Sequence, residues 1–387
     1  MIDPHLLLIT TCCQRHGSRT YQQSLRDIAD RVTDWPAVLA LAQRHRVEGL
    51  VWGALSGAGV VPPEPVAGCL ASRAATIATQ GLRLAAQSAR LQQQLDAAGV
   101  ANLILKGVTL DILAWGRLGL KDAWDIDILI ARKQLGVAVA CLIANGYALT
   151  GSLGLTLDGL ETWADFAKEC AFTHTENGAV VELHWQALDS TALAPSLGVA
   201  SPWQIVTLAP NVSVRTFADT ELFTYLCVHG ASHAWSRLKW LADLAAWLSQ
   251  RSATEIETLY RQSKAMGAGA APDQALGLCR ELLNLSISAD LAHEIQRDPK
   301  AVWLIKIAKS VMLGGGPVEI KDRPFVTDRI LLSQLLLGHG WRYRWAELRR
   351  QWIGVHDRRR WPLPPALRGL YGVIRLPSWI WRRLKRP

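Results

Sequence analysis

Two short stretches hold the residues that could do chemistry: Leu105-Lys106-Gly107 and Asp125-Ile126-Asp127-Ile128. Read as a strand, the second sends Asp125 and Asp127 to one face about 7 Å apart, while Ile126 and Ile128 enter a core. Two parallel carboxylates on a rigid strand are hard oxygen ligands for divalent cations such as Mg²⁺. A pair of such ions roughly 4 Å apart stabilises the attacking and leaving oxygens of an in-line displacement at phosphorus. Glu182 offers a third acid. In Val181-Glu182-Leu183-His184-Trp185 the apolar residues form one face, and Glu182 with His184 form the other. Gly107 falls between a strand and a helix, where backbone N–H groups can approach a phosphate.

The chain changes texture twice around these residues. Residues 20–98 read as helical: Asp34 is placed to cap the run that follows it, and 65–98 is a long Ala/Leu/Gln-rich stretch bounded by Pro62-Pro63 and Gly99. Between 99 and 190, ANLILKG and DIDILI read as strands, and 133–145 reads as a helix closed by Gly146. ECAFTHT and AVVELHW then read as a hairpin joined by a two-residue Asn177-Gly178 turn. Beyond Pro202 the pattern predicts helix again. Leu222, Leu226, His229, His233, Leu241 and Leu244 recur near helical spacing in one segment, within a helical bundle over 210–312. The expected fold class is α+β, a small mixed-sheet core flanked by N- and C-terminal helical regions. Its segments are 1–98 (N-terminal helices), 99–190 (α/β core), 191–325 (C-terminal helices) and 326–387 (a basic Trp/Arg-rich tail).

Half of the 387 residues are hydrophobic and 19% are charged, which excludes disordered and fibrous classes. Seven cysteines, an odd count without a CxxC pair, argue against a disulfide framework or zinc finger and for a reducing compartment. The first residues lack a basic n-region, and the longest uncharged stretch, 134–157, holds Asn145, Thr150, Ser152 and four glycines. Neither a signal peptide nor a membrane helix is therefore expected, and the location expected is cytoplasmic. The net charge of +9 is uneven: from Arg342 onward twelve Arg and one Lys face one Glu and one Asp, +11, leaving −2 for the first 341 residues.

LKGVTLDIL, DIDILI, VVELHW and HGASHAWSRLKWLADL together resemble the uncharacterised nucleotidyltransferase family of the DNA polymerase β-like superfamily, over roughly residues 40–260. The resemblance implies a glycine turn and helix at the triphosphate, an acidic strand and a third carboxylate. Carried over, it makes Asp125 and Asp127 ligands of two Mg²⁺ ions, Glu182 the third acid and general base, and Gly107 the turn at the nucleoside triphosphate. Where the superfamily has Gly-Ser, this chain has Lys106-Gly107-Val108, so Lys106 or Thr109 takes the place of the serine. Arg117 and Lys121 occupy the stretch in which relatives carry an arginine. Lys239 is the basic residue that the helical domain would set against phosphate. Such proteins occur in bacteria, often with roles in polysaccharide assembly. The activity implied is transfer of an NMP group from an NTP, ATP among them, to an unidentified acceptor hydroxyl. The alternative is a catalytically inactive module of the same fold that docks at the membrane surface.

His229 and His233, four apart, have a spacing that suits zinc, but the HExxH pattern is absent, and packing or a hydrogen bond to nucleotide or acceptor is the favoured role. His184 is read as a structural hydrogen-bonding partner. The basic tail has three readings, in descending order: a packed or frayed end, an anchor on the anionic inner face of the membrane, and a single-stranded nucleic acid contact.

Overall fold

The computed structural model describes residues 3–15, 19–150, 156, 158–314, 318, 326–352, 363, 365–371, 373 and 374. Five helices open the chain: α1 (Pro4–Cys12), α2 (Arg19–Ala29), α3 (Trp35–His45), α4 (Glu48–Gly57) and the long α5 (Val66–Ala97). Asp34 caps α3 as expected, its carboxylate accepting from the Ala37 amide at 2.9 Å.

The α/β core follows in the order β1 (Asn102–Ile104), α6 (Val108–Trp115), β2 (Asp125–Ile130), α7 (Leu135–Ala144), β3 (Tyr147–Thr150), α8 (Leu160–Ala164), β4 (Glu169–His174) and β5 (Val180–His184). The sheet is mixed, with strand order β1-β2-β5-β4-β3, and only β2 and β5 run parallel. The α+β class and the mixed sheet agree with the sequence reading. The β4–β5 hairpin also forms, but its loop is not the two-residue turn expected. His174 and Ala179 close a four-residue loop, Thr175–Gly178, in which Gly178 takes φ +71°. Asn177 serves that loop through its side chain, which accepts from the Ala179 amide at 3.0 Å.

The expectation of helix from Pro202 onward fails for 203–217. There β6 (Trp203–Ala209) and β7 (Val212–Phe217) form a separate two-stranded sheet turning at Asn211, φ +61°. The alternation of buried Val206 and Leu208 with exposed Ile205 and Thr207 is a period of two, which the helical reading passed over. The segment 221–248, read as one amphipathic run, is two helices, α9 (Asp219–Ser232) and α10 (Leu238–Leu248). Ala234 and Trp235 break it with φ of +46° and +51°. Gly230 makes room for the break, because a Cβ there would lie 2.4 Å from the Trp235 ring. The C-terminal helices continue as α11 (Ala253–Ala265), α12 (Ala271–Leu283), α13 (Ala289–Arg297), α14 (Pro299–Leu313), α15 (Val326–Leu337) and α16 (Gly340–Trp352).

Two large hydrophobic cores, with a small third cluster of Ala234, Val311 and Val326, lie among the described residues. Ile104, Ile126, Ile128, Val181, Leu183 and Phe172 of the sheet pack with α5, α7 and the β6–β7 hairpin in one. Leu103, Leu105 and Leu129, on the opposite sheet face, join the other, which runs from Leu8 of α1 to Tyr343 of α16. The acidic face of β2 therefore looks toward the helical half. Gly119, φ +72°, lets the loop before β2 press onto α5, since a Cβ there would sit 2.6 Å from the Ala78 Cα. Residues 326–352, the first part of the expected tail, are helices packed on this second core. The motif RLPSWIWRRLKRP at 375–387 lies outside the described residues. Among the described residues no helix is long and apolar enough to cross a membrane.

Candidate active site

Backbone pairing assembles the polar face. Leu105 N–H donates to the Asp127 carbonyl at 3.0 Å, so the chain leaving β1 brings Lys106 beside Asp127, and its ammonium donates to Asp127 Oδ2. The parallel register sets Asp127 opposite Glu182 and Leu129 opposite His184. The antiparallel register of β4 then sets Glu169 opposite His184. One face of the sheet thus gathers Lys106, Asp127, Glu182, His184 and Glu169 over two adjacent cross-strand rows. His184 Nε2 is 3.2 Å from Asp127 Oδ1 and 3.7 Å from Glu182 Oε2, while its Nδ1 is 3.0 Å from Glu169 Oε2. Lys168 adds an ammonium 3.3 Å from Glu169 and 3.4 Å from Asp189.

The charges explain one another. Burial acts to depress the His184 pKa, yet Asp127, Glu169 and Glu182 override it and raise the ring to about 10. Burial acts to raise the Asp127 carboxyl, yet Lys106 and His184 hold it well below the usual carboxylate range. Glu169 is held at about 2, against its burial, by His184 and Lys168. Glu182 differs: contact with His184 lowers its pKa, but burial and the repulsion of Asp127, Asp125 and Glu169 together outweigh it and raise the carboxyl. Three cations, Lys106, Lys168 and His184, thus face more carboxylate than they neutralise.

Gly107, φ +74°, turns the chain into α6, whose N-terminus has no side-chain cap. The hydroxyl of Thr109, the second residue of α6, is fully buried and has no hydrogen-bond partner among the described residues. From the helical half, Lys239 donates to the Asp122 carbonyl at 3.1 Å, just before β2. Burial, with Arg46, Lys106 and Lys121, lowers its pKa to about 8.

The chain matches the family described as "Uncharacterised nucleotidyltransferase" over residues 31–284. It belongs to that family. No curated protein matches it. The family assignment makes this chain a transferase with a nucleotide substrate, and the matched span includes Lys106, Asp127, Glu169, Glu182 and His184.

Each site residue read from the sequence of this nucleotidyltransferase has a definite place. Asp125 and Asp127 share a face of β2, Glu182 neighbours Asp127, Lys106 and Gly107 form the turn beside them, and Lys239 approaches from α10. Arg117 and Lys121 stand apart. Lys121 is enclosed by Asp243 at 2.6 Å and Asp111 at 3.1 Å, and Arg117 lines a different pocket with Arg15 and Tyr21. Sequence reasoning missed Glu169, read only as the start of a hairpin strand, and Lys168 just before it. The parity of ECAFTHT puts Glu169 on the same face as Glu182, but only the four-residue loop sets it directly opposite His184. His229 and His233 lie against Trp240, with ring centroids 5.5 and 5.2 Å away, and burial lowers both pKa values. Among the described residues the one group suited to holding a metal is Asp127, Glu182 and His184, with ligand atoms within 4.8 Å of one another.

That donor set fits a hard divalent cation: the carboxylates of Asp127 and Glu182, with Asp125 on the same face, are hard oxygen ligands, and His184 stands beside them. The repulsion that raises Glu182 is relieved by positive charge placed between the acids.

Proposed function

We propose that this chain transfers an NMP group from a nucleoside triphosphate to an acceptor hydroxyl, with Asp125, Asp127 and Glu182 as the ligands of Mg²⁺. The observation that carries the reading is the in-register placement of Asp127 and Glu182 on adjacent parallel strands, beside the Gly107 turn. When bound, the cations supply charge neutralisation at the triphosphate and at the attacking oxygen. The chain's own residues do the rest. The uncapped N-terminus of α6 offers backbone N–H groups to phosphate oxygens, and the orphaned Thr109 hydroxyl gains a partner there. Lys106 and Lys239 hold the phosphates from two sides. Glu182 accepts the proton of the acceptor hydroxyl as its oxygen bonds to the α-phosphorus. The bond from that phosphorus to the β-phosphate bridging oxygen breaks, and pyrophosphate leaves. His184, clasped by Glu169, fixes the orientations of Asp127 and Glu182.

Titration calorimetry with Mg²⁺ and each NTP, on the wild type and on Asp125→Asn/Asp127→Asn, tests the site. Metal-dependent nucleotide binding that the double substitution abolishes is the expected result. Unchanged binding in the variant, or no binding by the wild type, removes the site. Pyrophosphate release with cell extract as acceptor source then tests transfer, and binding without release favours the inactive docking module.

A further inference from the structure

The last long helix, α16, has two opposite faces. Its inner face is buried: Tyr343 donates to the Gln334 carbonyl at 2.6 Å, and Arg350 bonds both Glu347 and Gln334. The outer face carries Trp341, 72% exposed, Trp345, 66%, and Leu348, 46%, with Trp352 one turn further on at 47%. At 3.6 residues per turn these four fall within about 60° of arc, on the side away from the packed residues. Exposed Arg342 and Arg349 flank the stripe on one side and exposed Arg344 on the other. The helix's single acid, Glu347, is 1% exposed and tied to Arg350, so the outer face carries only positive charge.

We propose that α16 docks this protein on an anionic lipid bilayer, lying in the interface with its Trp/Leu stripe among the acyl chains and its arginines against headgroup phosphates. Tryptophan beside arginine on one exposed face is the chemistry of an interfacial helix. The sequence beyond α16 adds eight Arg and one Lys against one acid, Asp357, which argues for a lipid surface over an apolar protein partner or a second, equally basic copy of this chain. The docking has a geometric consequence. Trp345 and Arg349 also line a cleft of about 830 Å³ whose other wall includes Lys168, Glu169 and Asp189, so a bilayer under α16 lies at the mouth of that cleft.

Co-sedimentation of the full chain with phosphatidylcholine vesicles, with and without phosphatidylglycerol, tests this. The expected result is binding to the anionic vesicles only. Trp341→Ser/Leu348→Ser should weaken the partition coefficient about tenfold through lost apolar burial. Arg342→Gln/Arg344→Gln/Arg349→Gln should weaken it roughly a hundredfold at low salt. Loss of Trp341 should also remove part of the fluorescence quenching by brominated lipid, which a merely structural role would not move. The proposal is overturned if the wild type ignores anionic vesicles, or if the variants bind as the wild type does, which would assign binding to 353–387. Two further results overturn it: self-association through the stripe without vesicle binding, and binding to single-stranded nucleic acid without vesicle binding.

Discussion

Lys121 and Lys106 each sit on a buried aspartate, yet the clusters around them differ in how completely they are closed. Lys121 is held between Asp243 and Asp111. The remaining Asp243 oxygen accepts from Trp115 Nε1 at 2.9 Å, and Asp111 accepts from the Gly119 amide at 2.9 Å. Each of the four carboxylate oxygens thus has a partner of its own, although Lys121 neutralises only one of the two charges and burial raises the Asp111 pKa, and the cluster ties the loop before β2 to α6 and α10. Around Lys106, by contrast, Glu182 is one-third exposed with its nearest cation, His184, 3.7 Å away, and Glu169 lines a cleft. A closed ionic cluster fixes geometry, whereas an open one of the same residue types keeps capacity for a charged ligand.

Substitutions can break that contrast, beginning with the largest effect. Asp127→Asn should lower nucleotidyl transfer on the order of 10³-fold, as loss of transition-state electrostatics does. Its activity loss should far exceed what its stability loss explains, since Lys106 and His184 also lose a shared buried carboxylate; transfer at the wild-type level in the folded variant would place this cluster with the structural one. Lys121→Met should do the reverse, costing about 3–5 kcal/mol in a urea melt by leaving Asp111 and Asp243 buried without their cation. A cost under about 1 kcal/mol would show that burial of this triad is not what holds the loop.

Glu169→Gln sharpens the comparison from the residue that sequence reasoning missed. As a positioning residue one step from the ligands, its loss should weaken Mn²⁺ binding about 10- to 100-fold, read by calorimetry. Rescue by Glu169→Asp, beyond what its stability predicts, would separate orientation from packing.

The smallest effect concerns His45, a buried ring outside both clusters. Burial, then Arg44 and Arg237, lowers its pKa from 6.5 to about 3, and its Nδ1 accepts from the Leu238 amide at 3.3 Å. Below pH 6.5 the unfolded chain takes up this proton before the folded one does. Stability should therefore be level above that pH and fall toward pH 3 by at most about 1.4 kcal/mol per unit. In His45→Gln the slope should flatten by that amount; identical slopes would acquit His45.

The acidic face was legible because period-two alternation needs no tertiary information. Asp125 with Asp127, and Glu182 with His184, follow from residue order alone. Gly107, Gly146 and Asp34 were legible because each satisfies a local backbone demand. What depended on pairing was not. Asn177-Gly178 announces a hairpin, but a two-residue turn would slide β4 by two residues against β5. That slide keeps Glu169 on the same face while moving it away from His184. The β6–β7 hairpin was masked by helix-like composition on both sides, and the break at Ala234-Trp235 depends on the space that Gly230 leaves. Lys121 stood with Arg117 as a candidate for the arginine of relatives because sequence does not reveal that Asp111 and Asp243 enclose it.

The length of α5 has a consequence of its own. Val66 and Leu70 belong to the helical core, whereas Leu84, Ala89, Leu91 and Leu95 belong to the core of the sheet, so one uninterrupted 32-residue helix is rooted in both. Neither half can melt without stripping one end of that helix of its packing. The two halves are thereby coupled through one helix, and a change that unravels α5 at either end reaches both cores.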